Sequence, residues 1–210
     1  MRQLRQVWQQ GVIAEGMWKK EIEELERRRA MARRMGGADN VSFQHGKGKW
    51  TVRERLELLC DRGSFLERGI LAGVPTYGTR DKSRLQDLIP CPFVMGIGKV
   101  DGRRVALHGD DFPVKGASVG RMYKAKRGYF AKMARSLKLP MVRLVEGAGG
   151  SIREILEMGF TELPSGNQEG TQHENEALSE VPVAAAGFGP IAGLGALFMV
   201  KSHFSVMVKE

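Results

Sequence analysis

Thiols are scarce in this chain: among 210 residues only Cys60 and Cys91 are cysteine, and they lie far apart. That count excludes a disulfide framework and a four-cysteine zinc site, and it suits the cytoplasm or a mitochondrial matrix. The four histidines, His45, His108, His173 and His203, have no ligand spacing between them, so no metal is expected. Long apolar runs are missing as well. The longest stretch, Val181–Val200, is broken by glycines and two prolines, and Met1–Gln10 is rich in Gln and Arg. Neither a membrane span nor a secretory leader is predicted. Aromatic residues make up 7% of the chain, and no RNP-type aromatic motif or zinc finger is present.

Positive charge is abundant, with a formal net charge of +9. Nucleic acid is therefore a candidate partner. The basic residues are spread through Arg27–Arg29, Arg33–Arg34, Arg103–Arg104 and Lys124–Arg127, in different elements. A phosphate-bearing small molecule or an acidic partner fits the charge equally well. Hydrophobic residues form 42% of the chain and charged residues 27%, which suits one well-buried core with a small appendage.

Glycine is plentiful, and it is concentrated in corners that follow predicted strands. Asp110–Gly120 reads DDFPVKGASVG, Val145–Ser151 reads VEGAGGS, and Gly187–Ala196 reads GFGPIAGLGA. Glycines at strand ends let backbone N–H groups converge on an anion or a developing oxyanion. Around the corners, Ala14–Met35 reads as a charged helix with a narrow stripe of Trp18, Ile22 and Leu25, ended by Gly36-Gly37. That stripe predicts packing on another domain or subunit, or a solvated arm. Val41–Lys49 reads as a linker. Thr51 and Glu54 match a capping box opening a short helix with Val52, Leu56 and Leu59 on one face.

Leu66–Ala72 reads as a strand and Val74–Pro92 as a mobile polar excursion. Asp101-Gly102 between Val94–Val100 and Arg103–His108 predicts a hairpin with a type I′ turn. Arg121–Lys138 reads as a helix with Met122, Ala125, Tyr129 (or Phe130) and Met133 near one face. Met141–Val145 is a strand, Ser151–Met158 a helix, and Gly159–Ser179 a polar loop with a partial helix. Val181–Ala186 and His203–Val208 are further strands. Strands alternating with helices give an α/β fold with right-handed crossovers. The chain stops at Glu210 just after an apolar strand, which reads as a fragment or a separately encoded half.

Five pieces in register carry a family resemblance. They are T-x-R-E-R-x-E-L-L at Thr51–Leu59 with D-R-G-S-F at Asp61–Phe65, the G-x-V-x-G-R-R-V hairpin, and D-F-P-V-K-G-A-S at Asp111–Ser118. L-P-M-V-R-L-V-E-G-A-G-G at Leu139–Gly150 and A-G-F-G-P-I-A-G-L-G-A at Ala186–Ala196 complete the set. Together they resemble the N-terminal half of the carboxyltransferase (beta) subunits of biotin-dependent acyl-CoA carboxylases, of the propionyl-CoA and methylcrotonyl-CoA type. The resemblance implies a crotonase-like (ClpP/crotonase) α/β fold of repeated ββα units in residues 49–210, preceded by a helical arm and linker in residues 1–48. It implies transfer of a carboxyl group from carboxybiotin to an acyl-CoA enolate. Biotin is expected on a separate carrier or biotin carboxylase subunit, and a second-half carboxyltransferase chain or homologous subunit as partner.

In that family an S-G-G-A-R motif supplies the oxyanion amides. Aligned without gaps, the pair falls on Ala148 and Gly149; a slide of one residue makes it Gly149 and Gly150. Ser151 stands where the family has Arg. The loop at Asp111–Gly120 resembles one lining the CoA channel, which makes Lys115, Gly116, Ala117, Ser118 and Arg121 candidate CoA contacts, the last at a helix start where anions are favoured. His108 reads as a hydrogen-bonded core histidine, and Glu154 and Glu157 as helix-surface charges. Rival expectations are a non-catalytic assembly or regulatory protein retaining the fold, a biotin-independent crotonase-type enzyme, and a basic nucleic-acid module.

Overall fold

The computed structural model describes residues 18–82, 84–159 and 169–209. In chain order the elements are α1 (Lys19–Arg33), α2 (Ala38–Gly46), α3 (Val52–Leu59), β1 (Leu66–Arg68), β2 (Gly73–Tyr77) and β3 (Leu85–Pro90). Then come β4 (Phe93–Val100), β5 (Arg103–Asp110), a 3₁₀ turn (Lys115–Ala117), α4 (Arg121–Ser136) and β6 (Met141–Gly147). The chain continues through α5 (Ile152–Met158), α6 (Glu169–Glu180), β7 (Val183–Ile191), α7 (Leu194–Val200) and β8 (Phe204–Met207).

A six-stranded sheet in the order β1-β4-β5-β6-β7-β8 carries the architecture. It grows from the predicted Asp101-Gly102 turn, where both residues have positive φ (50° and 76°) and β4 pairs antiparallel with β5. From β5 onward the neighbours are parallel, as helical crossovers between strands require. The parallel strands therefore finish at one edge of the sheet, and a glycine corner follows each of β5, β6 and β7. This is the edge at which ligands bind in open parallel sheets.

Alternation along the strands sorts the core into two layers. Phe93, Met95, Ala106, Met141 and Val183 face α4 and α6, joined by Tyr123, Phe130 and Ala134. Val94, Val105, Leu107 and Leu144 face α3, where Val52 and Leu56 are buried. Each fully buried large apolar side chain contributes about 1.5–3 kcal/mol. The capping box that starts α3 forms as predicted: Glu54 N–H donates to Thr51 Oγ1, and Thr51 N–H donates to Glu54 Oε2. Beyond α3 the second face opens into an apolar groove of about 420 Å³ over β6–β8, bordered by Trp50, Leu58, Phe204 and Val206.

Several expectations are corrected. Val41–Lys49 is no linker, because α2 runs to Gly46. The excursion at Val74–Pro92 contains a β2–β3 hairpin, and α1 lies against it. Ala32 packs with Leu85 and Leu88, and Arg27 Nη2 donates to the Leu85 carbonyl. The α1 helix thus covers the chain's own hairpin, while Trp18 and Ile22 stay exposed. Its arginines Arg27, Arg28 and Arg29 pair with Glu24 and Glu26 on the same helix, which removes them from any single-sign surface.

The buried face of α4 is Tyr123, Lys126, Arg127, Phe130, Ala131 and Ala134, one residue round from the predicted stripe; Tyr129 is 57% exposed. Part of the predicted loop Gly159–Ser179 is α6, and the third glycine run continues into α7. Residues 14–17 of the predicted first helix and residues 160–168 of that loop lie outside the described residues. Among the described residues no helix is long and apolar enough to cross a membrane.

Candidate functional site

The three glycine corners meet. Val119 forms an isolated parallel bridge with Gly150: Val119 N–H donates to the Gly149 carbonyl (2.7 Å) and Ser151 N–H to the Val119 carbonyl (3.0 Å). Ala148 N–H donates to the Gly116 carbonyl (2.9 Å), and Ala192 N–H to the Gly147 carbonyl (3.1 Å). Gly149 has φ of 89°, a conformation that glycine adopts without steric cost. The Gly149 and Gly150 N–H groups take no part in this pairing. Among the described residues neither finds an acceptor, although Gly149 itself is buried. An unpaired buried N–H costs about 1–3 kcal/mol and is rare, so the buried Gly149 N–H, beside the exposed Gly150 N–H, marks a place where an external acceptor fits.

Of the three predicted oxyanion residues, Ala148 spends its N–H on the Gly116 carbonyl, whereas Gly149 and Gly150, the pair given by the one-residue slide, have no acceptor among the described residues. The predicted CoA loop also differs from expectation. Gly116 N–H donates to the Phe112 carbonyl (3.0 Å), Ala117 N–H to Val114 (2.9 Å) and Ser118 N–H to Lys115 (3.3 Å). None of these three amides is free to face a ligand. Lys115, Gly116 and Ala117 all have positive φ (52°, 64° and 51°), a left-handed turn that two of the three adopt against their steric preference. Lys115 is exposed and borders a cleft of about 280 Å³ shared with Arg34, Asn40 and Asp87.

The start of α4 is occupied from within. Arg121 N–H donates to Glu154 Oε2 (2.9 Å), and a Cβ on Gly120 would stand 2.0 Å from Glu154 Oε1. A side chain there would have to push the carboxylate aside. Glu154 is thus a cap on α4 rather than a surface charge, and it holds the N-terminal position proposed for an incoming anion. Its own N–H is capped by Ser151 Oγ (3.3 Å). Glu157 pairs with Arg153 on the exposed side of α5, as predicted.

Beneath the corners lies a polar core that the motif reading missed. Tyr123 Oη donates to Asp110 Oδ1 (2.6 Å), and Glu146 N–H donates to Asp110 Oδ2 (3.1 Å). Burial pushes the Asp110 carboxyl up to about 7, with the Tyr123 hydrogen bond pulling the other way. Asp111 is also raised to about 7 by burial, against the pull of Arg53, and its Oδ1 has no hydrogen-bond partner among the described residues. Glu146 is fully buried and meets Arg55 (2.7 Å), Lys49 (3.3 Å) and Gln44 (3.2 Å). The signal was present in the sequence: Glu146 is a lone carboxylate at an inward position of an apolar strand. His108 is a core residue stacked on Phe93 (4.6 Å) and held well below its ordinary pKa by burial, but its Nδ1 makes no hydrogen bond among the described residues. Cys60 and Cys91 are buried free thiols, with Cys91 pushed up to about 11 by burial. Among the described residues no cluster of His, Cys, Asp and Glu is arranged to hold a metal ion.

A family model, the carboxyl transferase domain, matches residues 43–210. Among similar proteins, a propionyl-CoA carboxylase beta chain from Roseobacter denitrificans is 35% identical over 191 residues, covering 90% of this chain and 36% of the relative. A methylmalonyl-CoA decarboxylase subunit alpha from Propionigenium modestum is 33% identical over 194 residues, covering 91% of this chain and 36% of the relative. Transcarboxylase 12S, solved with methylmalonyl-coenzyme A and methylmalonic acid bound, superposes with a TM-score of 0.72 at 27% identity. That match covers 93% of this chain and 37% of the solved one. The chain spans little more than a third of the length of these relatives.

Proposed function

The chain belongs to the carboxyl transferase domain family and has its crotonase-like fold, and on that premise we propose that it is the acyl-CoA-binding, N-terminal half of an acyl-CoA carboxyltransferase. The thioester oxygen would accept hydrogen bonds from the Gly149 and Gly150 amides. Loss of the α-proton turns the thioester into an enolate, and the new negative charge falls on that oxygen. Donors fixed before the reaction stabilise it without reorganisation, and one such donor is worth about 10²–10³ in rate. Lys115, exposed on its left-handed turn, is proposed to meet a phosphate or the pantetheine carbonyl of CoA.

Residues 49–210 are assigned to this binding domain and residues 1–48 to its helical extension. Bound carboxybiotin, carried on another polypeptide, would supply the carboxyl group, and no residue of this chain is assigned to it. A second-half carboxyltransferase chain is the proposed partner that holds it. Relatives named as carboxylase and as decarboxylase subunits both fit this assignment, because addition to and loss from the α-carbon share one enolate.

The observation that carries the reading is the pair of adjacent unpaired amides where three corners converge. One observation favours a second reading, a non-catalytic assembly protein: Glu154 already fills the α4 N-terminus, and Ser151 stands in the arginine position. Calorimetric titration of the chain with propionyl-CoA and with free CoA, before and after adding a second-half chain, separates the two. Saturable binding that strengthens with the acyl group supports the thioester site. Absence of binding under both conditions supports the scaffold.

A further inference from the structure

Asp110 ties the end of β5 to both α4 and the end of β6. Its Oδ1 takes the Tyr123 hydroxyl and its Oδ2 takes the Glu146 N–H, the second residue of the second corner. The same Oδ2 lies 4.0 Å from where a Cβ on Gly147 would be. Gly147 in turn accepts from Ala192 of the third corner, so the carboxylate sits at the root of the junction. We infer that Asp110 is a positioning residue for the Gly149–Gly150 amide pair, holding the end of β6 through the Glu146 N–H and so fixing the backbone that carries both amides. This rests on the thioester reading for its purpose, while the coupling of Asp110 to the two amides stands on the geometry alone.

The charged form accepts both hydrogen bonds at full strength. Protonation puts a donor on one oxygen and weakens or breaks one of them. The groups that face Asp110 are Tyr123 from α4, Glu146 from β6 and Arg55 from α3, and Cys91 senses its charge. Burial raises Asp110 to about 7, which sets the amide geometry to change across neutral pH.

The test uses the whole chain labelled with ¹⁵N and follows the Gly149 and Gly150 amide resonances from pH 5.5 to 8.5. Both are expected to move with one midpoint near 7. Asp110→Asn should hold them still, and Asp111→Asn should leave the transition in place. Tyr123→Phe removes a hydrogen bond that favours the carboxylate, so it should move the midpoint upward. It also keeps the test open should Asp110→Asn fold poorly. Flat resonances in the wild type, or an unchanged transition in Asp110→Asn or Tyr123→Phe, overturn the inference.

Propionyl-CoA affinity is the second readout and is expected to fall about tenfold from pH 8 to pH 6, the worth of roughly one hydrogen bond. If the amides titrate and propionyl-CoA does not bind at any pH, the functional reading fails and the positioning role of Asp110 stands. If propionyl-CoA binds and the amides do not titrate, the outcome is reversed.

Discussion

Lys115–Ala117 and Gly149–Gly150 sit side by side at the ends of neighbouring parallel strands, yet Gly116 and Ala117 spend their N–H groups within their turn while those of Gly149 and Gly150 find no acceptor among the described residues. The first winds left-handed and closes its amides onto Phe112 and Val114, while offering only a carbonyl, Gly116 O, to its neighbour. The second takes that carbonyl with Ala148 and then pairs with Val119 through Gly149 O and Ser151 N. What remains is two consecutive amides with no acceptor among the described residues. Glycine is denser in the second corner, three of seven residues against two of eleven, but content alone does not decide which one is a donor site. The hydrogen-bond account decides it.

Carboxylates support each corner, and the largest effect expected from breaking that support is on stability against pH. Asp110 lies under the second corner and Asp111 leads into the first, and burial raises both to about 7. An unfolded aspartate titrates near about 3.9, so between roughly pH 4 and 7 the folded chain binds more protons than the unfolded one. The contribution of these two groups is therefore greatest at low pH and declines as pH rises through 7. Urea midpoints of the Asp110→Asn, Asp111→Asn double variant should lose that decline, whereas an unchanged slope would place the titration elsewhere.

The next effect separates the corners by their anchors. Glu146 is buried against Arg55, and Arg55→Met leaves the carboxylate without its nearest cation. A loss of about 3–5 kcal/mol in unfolding free energy is expected. A loss below about 1 kcal/mol, the size of an exposed pair, would mean that Lys49 and Gln44 suffice.

Removing a donor from the second corner comes third. Gly150 has open space at its Cβ position, so Gly150→Ala keeps the N–H at little steric cost, and Gly150→Pro deletes it. With a second-half partner present, turnover should fall about 10²–10³-fold in the proline variant and stay near wild type in the alanine variant. Equal losses in both would point to backbone shape rather than the donor.

The smallest effect belongs to the first corner. Lys115→Gly relieves a left-handed non-glycine residue and should stabilise the chain by about 1 kcal/mol. The same variant should weaken free CoA in a salt-dependent way, measurable by calorimetry at two ionic strengths.

Much of the scaffold was legible because local rules and tertiary packing agreed there. Asp101-Gly102 demanded its hairpin, and Thr51 with Glu54 demanded its cap. Elsewhere charged residues inside the protein disguised the pattern. Tyr123, Lys126, Arg127, Phe130, Ala131 and Ala134 form a regular buried stripe on α4, but Lys126 and Arg127 make it look polar, so the neighbouring methionine stripe was read instead. The β2–β3 hairpin was missed because only Leu85, Leu88 and Pro90 of β3 turn inward, toward a helix distant in sequence. At the site, sequence narrowed the candidate donors to three residues. It left the choice between Ala148 and Gly150 open, because that choice depends on the Gly116 carbonyl, more than thirty positions upstream.

The central claim is that the second corner, and not the first, receives the thioester oxygen. Titrating the ¹⁵N-labelled chain with propionyl-CoA, and in parallel with free CoA, tests it directly. The account predicts that the Gly149 and Gly150 amides shift downfield with propionyl-CoA alone, while Gly116 and Ala117 hardly move. Shifts confined to Gly116 and Ala117, or identical shifts with free CoA, would contradict it.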